Sequence, residues 1–221
     1  MLDPPTRAAL AGLSSALIGD ARVRSNLPET HLEPGIRPVT PYTAMVGTAL
    51  TAELKVAPTP ADADLLPLVE LYESQPSTSG AVIVIQVPVE LHGYGIFGEG
   101  AATMTRRHGF VGALIDGATR DGEVLRQMQY PVFARHCTPG YMPLKASVAS
   151  IGAPVTIGGR TIRQGDVIIG DHDGVIVVRP EELDKVLAKA NAIKKWEDQL
   201  HAYFADGTPY KVAIEKIGPL P

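Results

Sequence analysis

The chain has 221 residues, 45% of them hydrophobic, enough for one good-sized domain with a real core. Charged residues make up 20% and the net charge is -4, which argues against nucleic acid and anionic membrane as main partners, since both call for a basic patch. The single cysteine, Cys137, excludes an internal disulfide framework. With no leader-like N-terminus and no apolar run of spanning length, it points to a cytoplasmic protein.

Residues 4–18 read as a first helix, with Pro4 or Pro5 near its start and Leu10, Leu13 and Leu17 on one face. Residues 25–42 are Pro-rich and irregular. MVGTALTAELKV (45–56) looks like a strand, and a loop and helix follow, with Asp62 or Asp64 as a cap. The continuous β-branched run GAVIVIQV (80–87) predicts a strand buried on both faces. A Gly-rich loop then leads into a helix from about Gly98 to His108, stopped by Gly109. VGALID is a second buried strand, DGEVLRQM a short helix and PVFARHC a further strand.

From 147 to 179 the pattern is all-β, with one hairpin about Gly158-Gly159 and another about Asp173-Gly174. Pro180 starts a long final helix that ends at Gly207, and the last residues read as a tail or docking arm. Helices alternating with strands, then a run of strands, predict an α/β sandwich rather than a doubly wound nucleotide fold. No linker or repeat divides the chain, so residues 1–221 read as a single domain, with a core of about 13–180 and a C-terminal helix and tail over 180–221.

The chemistry concentrates in GALIDGATRDGEVLRQMQYPVFARHC (112–137). Charged residues placed right after a buried strand usually face a site, because the strand end holds their backbone still. Arg120 can grip a carboxylate with two parallel hydrogen bonds, and Asp121 can hold a hard cation beside it. That combination is what chemistry on a 2-oxo acid requires. The plainer alternative is a surface ion pair, or a turn after the strand.

Gly98-Glu99-Gly100-Ala101-Ala102 is a Gly-rich turn before a helix, whose free amides can receive an anion. Glu99 is a candidate general base; favourable placement in a first helical turn is its other reading. Asp116 reads equally as a support for Arg120 or a metal-bound water and as the cap of its Asp-Gly turn. Asp171-His172-Asp173 reads as a hairpin turn, not a metal cluster. Of the other histidines, His92 is the best candidate to line a pocket, and Cys137 reads as structural.

These residues resemble the family that joins 4-hydroxy-4-methyl-2-oxoglutarate aldolases with the regulator of ribonuclease E activity (RraA-like). Many of its members carry the inherited label of demethylmenaquinone methyltransferase. The resemblance runs roughly from Leu13 to Val178, through PGIRPVTP, GEGAAT, GALIDGATRD, PVFAR and GDVIIGDHDGVIVV. Its most specific element is an acid, twenty residues, then Arg-Asp: Glu99, residues 100–119, then Arg120-Asp121. That spacing marks the aldolase branch; the ribonuclease-regulator branch usually lacks the Asp.

The resemblance implies a compact α/β/β/α sandwich of the swivelling-domain type, assembled as a homotrimer or hexamer with the site between subunits. It implies Mg²⁺ or Mn²⁺ on Asp121. It implies retro-aldol cleavage of a 4-hydroxy-2-oxo acid to pyruvate, with oxaloacetate decarboxylation as a side activity. Arg120 would bind the substrate carboxylate and developing enolate oxygen, with the turn at Gly98, Gly100 and Ala101 binding substrate. Glu197, on the last helix, is a candidate acid for a neighbour's site; an exposed helical acid is its other reading. Two bulky apolar residues usual in the family are here Gly100 and Ala101, which makes the pocket wall smaller.

The rival from another class is a non-catalytic regulator that binds an RNA-degradation enzyme. A methyltransferase is rejected, since no strand leads into a G-x-G loop with an acid at the end of the next strand.

Overall fold

The computed structural model describes residues 2–41, 43–76 and 80–221; Tyr42, the end of the Pro-rich stretch, lies outside them. Its centre is an eight-stranded mixed sheet. The run at 81–86 pairs in parallel with Met45–Val56 on one side and with Gly112–Asp116 on the other, and Val132–Ala134 continues the parallel set. Arg37–Pro38 pairs antiparallel at one edge. Beyond Met45–Val56 lie Val167–Asp171 and Gly174–Val178, both antiparallel, while Ala146–Ile151 pairs with the far half of the long strand. The sheet curls until its two edges nearly meet: the Arg37 guanidinium donates to the Asp173 carbonyl at 3.0 Å.

Both faces of the parallel strands are buried, so their sequences are continuous apolar runs. Val82, Val84, Leu114 and Phe133 point into the curl, where the Val155–Ile157/Arg160–Ile162 hairpin plugs it with Val155, Ile157 and Ile162. Ile83, Ile85, Ala113 and Ile115 face outward beneath the helices Leu66–Glu73, Glu99–Arg107 and Gly122–Gln127, which contribute Leu68, Tyr72, Ala102 and Leu125. A third cluster joins Val167, Ile169, Ile176 and Val178 to the helices Pro4–Ala11, Ser15–Arg24 and Leu183–Ala205. The α/β class expected from the sequence holds.

Several local expectations need correction. The first helix is two, Pro4–Ala11 and Ser15–Arg24, because the Ser14 hydroxyl accepts the Leu17 N–H and caps a new start. PVFARHC is bent at Arg135 into two strands belonging to different sheets. The second hairpin turns at His172-Asp173, since Asp171 pairs with Gly174. The tail is no free arm: Tyr210–Ile217 is a helix whose far end docks on the preceding one, the Trp196 indole donating to the Gly218 carbonyl at 3.0 Å. Among the described residues, no helix is long and apolar enough to cross a membrane.

What positions the site is a small second sheet. Two parallel core strands run on into short ones, Ala118–Thr119 and His136–Cys137, and Gly95–Phe97, reached from the 81–86 strand through a short helical turn at Val89–Leu91, pairs in parallel beside them. The residues that follow them gather beyond the carboxyl ends of the core strands, where open parallel sheets commonly hold their ligands.

Candidate functional site

The Phe97 carbonyl holds the centre of this small sheet. It accepts the Arg120 backbone N–H at 2.7 Å and the Thr119 hydroxyl at 2.5 Å. The Phe97 ring stacks on Tyr130 with centroids 6.1 Å apart, and the Tyr130 hydroxyl donates to Thr105 Oγ1 at 2.9 Å. Burial pushes the Tyr130 phenol up to about 12, so this anchor stays protonated at neutral pH. Arg120 and Asp121 therefore leave a rigid floor.

Asp121 has φ 55° and ψ 35°, a left-handed conformation that Asp tolerates better than most residues. The turn carries the chain from the small sheet into the Gly122–Gln127 helix and swings the Asp121 carboxylate to the start of the Glu99–Arg107 helix. There Asp121 Oδ2 accepts the Glu99 N–H at 3.1 Å. Gly98 permits the approach, for a Cβ on it would stand 2.5 Å from Asp121 Oδ2. The Gly100 and Ala101 amides, in the first turn, have no intrahelical acceptor. Glu99 itself points its side chain to solvent.

Arg120 lies with its stem against Gly95, where any Cβ would collide with Arg120 Cγ. Its guanidinium carbon is 5.7 Å from the centre of the Tyr141 ring. Among the described residues no carboxylate pairs with it, and its buried Nε has no hydrogen-bond partner. A cationic fork held by its stem and left without an anion is suited to a carboxylate ligand. Arg120, Asp121 and Gly122 share an open cavity of about 350 Å³ with Cys137, Thr138 and Pro139.

The structure thus brings together Gly98, Glu99, Gly100, Ala101, Arg120 and Asp121. It does not bring Asp116 to them. That carboxylate is buried and accepts from Arg135 Nε at 2.5 Å, and its other oxygen faces the Gly158 N–H at 3.4 Å. Arg135 also pairs with Glu33 at 2.6 Å. Of the alternatives read for Asp116, the link to Arg120 is not formed; the carboxylate instead belongs to this network, which ties the core strand to the plug hairpin and to the 31–36 segment.

His92 is likewise turned away, its Nε2 3.0 Å from the Val87 carbonyl. Glu197 belongs to the Leu183–Ala205 helix, which packs with the Ser15–Arg24 helix in a separate layer from the Glu99–Arg107 helix. Asp171 serves its turn and a helix start, accepting from Ser15 N at 2.6 Å, Ser15 Oγ at 2.7 Å and Asp173 N at 3.0 Å.

The sequence reading misplaced one residue of the site and missed another. Cys137, read as structural, is exposed on the cavity wall. Burial of its sulfur pushes the thiol up against the opposing pull of Arg126, so it is not an activated nucleophile. Tyr141 follows Pro139-Gly140 and bridges Gly95, in a segment that carries no periodic signal; the adjacency TPGY after a strand is the only sign of it.

Among the described residues no three His, Cys, Asp or Glu side chains form a metal cage. The donor set fits a different kind of site. One exposed carboxylate, set at a glycine cradle beside an arginine, suits a hard divalent ion that keeps most of its waters and shares the rest of its coordination with substrate. Asp121 would hold it.

The family model described as Aldolase/RraA matches residues 15–177. The chain belongs to the RraA-like family. A Halalkalibacterium halodurans protein named "Putative 4-hydroxy-4-methyl-2-oxoglutarate aldolase" is 33% identical over 162 residues, covering 73% of this chain and 72% of that one. Among solved structures, an uncharacterized protein from Pseudomonas syringae pv. tomato superposes with a TM-score of 0.83 at 23% identity, over 97% of this chain and 95% of that one. Streptomyces coelicolor RraAS2, titled an unusual member of the RNase ES inhibitor RraA family, gives 0.76 at 24% identity, over 89% and 96%. At those identities the two structures bear on the RraA-like fold alone.

Proposed function

We propose that the protein is a divalent-metal-dependent aldolase that cleaves a 4-hydroxy-2-oxo acid, of the 4-hydroxy-4-methyl-2-oxoglutarate type, to pyruvate and a second oxo compound. Oxaloacetate decarboxylation is its side activity. The observation that carries this reading is the unpaired Arg120 guanidinium beside the exposed Asp121 carboxylate, at a helix start with two free amides.

The substrate's C1 carboxylate binds Arg120 through two N–H groups, which also fixes the 2-oxo group against the site. The Gly100 and Ala101 amides receive the negative charge that gathers as the carbon–carbon bond breaks. A Mg²⁺ or Mn²⁺ ion on Asp121 would supply Lewis acidity at the 2-oxo oxygen. Cleavage needs the 4-hydroxyl proton to leave as the C3–C4 pair moves to C2–C3, and the resulting carbanion equivalent to gain a proton at C3. Glu99, exposed and joined through its backbone N–H to Asp121, is the group to move the first of these, directly or through water. In oxaloacetate the same bond breaks with loss of CO₂, and no base is required.

The cavity is open on one side. A neighbour in a trimer or hexamer would close it, and Glu197 on the outer helical layer is the acid such a neighbour could supply.

The test is pyruvate release from oxaloacetate with MgCl₂ and then with EDTA, using Arg120→Ala as control because free divalent ions decarboxylate oxaloacetate slowly. Metal-dependent turnover lost in Arg120→Ala supports the reading. No turnover above that control would overturn it in favour of a binding protein on an aldolase scaffold.

A further inference from the structure

Arg120 is held at three points. Its backbone N–H is tied to Phe97, its stem lies on Gly95, and its guanidinium sits over Tyr141. The third contact is built from a separate segment of chain. Residues 138–141 strap onto residues 93–95: the Thr138 hydroxyl donates to the Gly93 carbonyl at 3.0 Å, the Gly95 N–H donates to the Gly140 carbonyl at 3.0 Å, and Gly95 and Tyr141 form a β-bridge. A few residues on, Lys145 Nζ sits 4.5 Å from the centre of the Tyr94 ring, so the two segments are tied again. Gly140 is closely packed in this strap, a Cβ there meeting the Gly93 carbonyl.

Tyr141 is 55% exposed, so its ring adds little to the core. Yet its backbone is locked in register with Gly95, the same residue that receives the Arg120 stem. A large exposed aromatic ring held this firmly beside an unpaired guanidinium has an evident use. It covers one face of the cation, keeps the fork from swinging into water and leaves its N–H edges for a ligand.

We propose that Tyr141 is a positioning residue for carboxylate binding, acting through Arg120. The ring face, which the guanidinium meets, does the work, and the hydroxyl of this exposed residue does not. This rests on the aldolase reading for its substrate, but it requires only that Arg120 bind a carboxylate. It predicts an effect on substrate affinity more than on the bond-breaking step, because a loosened fork binds substrate and transition state about equally less well.

The experiment compares wild type, Tyr141→Phe and Tyr141→Ala in two measurements. The first is oxaloacetate decarboxylation with MgCl₂. Tyr141→Ala is expected to raise KM about fivefold with kcat within about twofold, and Tyr141→Phe to stay near wild type, in line with a cation–aromatic contact at a partly exposed site. The second is oxalate binding by calorimetry with Arg120→Ala as the reference for lost binding. The same roughly fivefold loss is expected in Tyr141→Ala and not in Tyr141→Phe.

If wild type binds oxalate through Arg120 but turns nothing over, the aldolase reading fails while the binding series still decides the role of Tyr141. Unchanged KM and oxalate affinity in Tyr141→Ala would overturn the proposal. So would Tyr141→Phe behaving like Tyr141→Ala, which would move the role to the hydroxyl. Absence of Arg120-dependent oxalate binding in wild type would overturn it as well, by removing the carboxylate site it serves.

Discussion

Asp121 and Glu99 are joined by a single hydrogen bond, from the Glu99 N–H to Asp121 Oδ2 at 3.1 Å, across 22 positions of sequence. The acid-to-Arg-Asp spacing is therefore a contact distance: the carboxylate that would hold the metal is also the cap of the helix that would bind substrate charge. Asp121→Asn keeps the left-handed turn and a capping oxygen, so its melting temperature should stay within a few degrees of wild type while metal-dependent turnover is lost. Asp121→Ala should lose turnover and also about 1 kcal/mol of stability, from the missing cap and the strained φ. Turnover with EDTA present would remove Asp121 from any metal role.

Arg120→Ala should lower kcat/KM for oxaloacetate about a hundredfold or more, comparable to removing a main charge-stabilising donor. Since no carboxylate among the described residues pairs with this guanidinium, thermal stability should hardly change. Retained activity would exclude Arg120 from the mechanism.

Gly95 and Gly100 form a matched pair of tests. An added methyl at Gly95 meets the Arg120 stem, so Gly95→Ala should cost about tenfold or more in kcat/KM through a displaced fork. At Gly100 the added methyl meets nothing within 4 Å. Gly100→Ala should keep its amide and its activity and gain about 0.5 kcal/mol of stability from helix propensity. Equal effects at the two positions, read by kinetics and melting together, would refute the placement of Arg120 against Gly95.

Asp116 should behave as a structural residue. Asp116→Asn removes the charge that faces Arg135 and should destabilise by about 2 kcal/mol, yet leave kcat near wild type. A large fall in kcat without loss of stability would restore the catalytic role first read for it.

The Arg22–Glu182 pair, at 2.6 Å, joins a fully buried guanidinium to the start of the Leu183–Ala205 helix. Burial pushes the Glu182 carboxyl up, but the Arg22 hydrogen bond and charge outweigh it and hold the group below its ordinary value. A lowered folded-state value means stability that is present above the unfolded value of 4.5 and lost as pH falls through the folded one. Wild type should therefore lose stability below about pH 4.5 more steeply than Glu182→Gln. Urea midpoints at pH 7 and pH 3.5 for both proteins would measure it; parallel slopes would exclude the pair as the source.

The core strands and the Arg-Asp pair were legible in the sequence because their signals are local. GAVIVIQV has the same neighbours whatever its topology, and Arg120-Asp121 follows its strand directly. What was missed depends on distant partners or on competing local starts. Ser14 divides the first helix because a hydroxyl captured a backbone N–H. The tail became a helix because Trp196 and Tyr203, on the preceding helix, gave Gly218 and Lys216 something to dock on. Asp116 was drawn toward Arg120 by nearness in sequence, whereas Arg135, on the neighbouring strand end, is its partner in space. Tyr141 had no pattern at all until the strap from 138 to 141 set it over Arg120.

The left-handed backbone at Asp121 has an evolutionary consequence. That conformation is accepted by Asp, Asn and Gly and by few other residues. On the proposed reading, a single nucleotide change there to an Asn or Gly codon would erase the chemistry and spare the architecture. A lineage on this scaffold can drift from catalyst to pure binding protein in one step, with nothing in its packing to register the change.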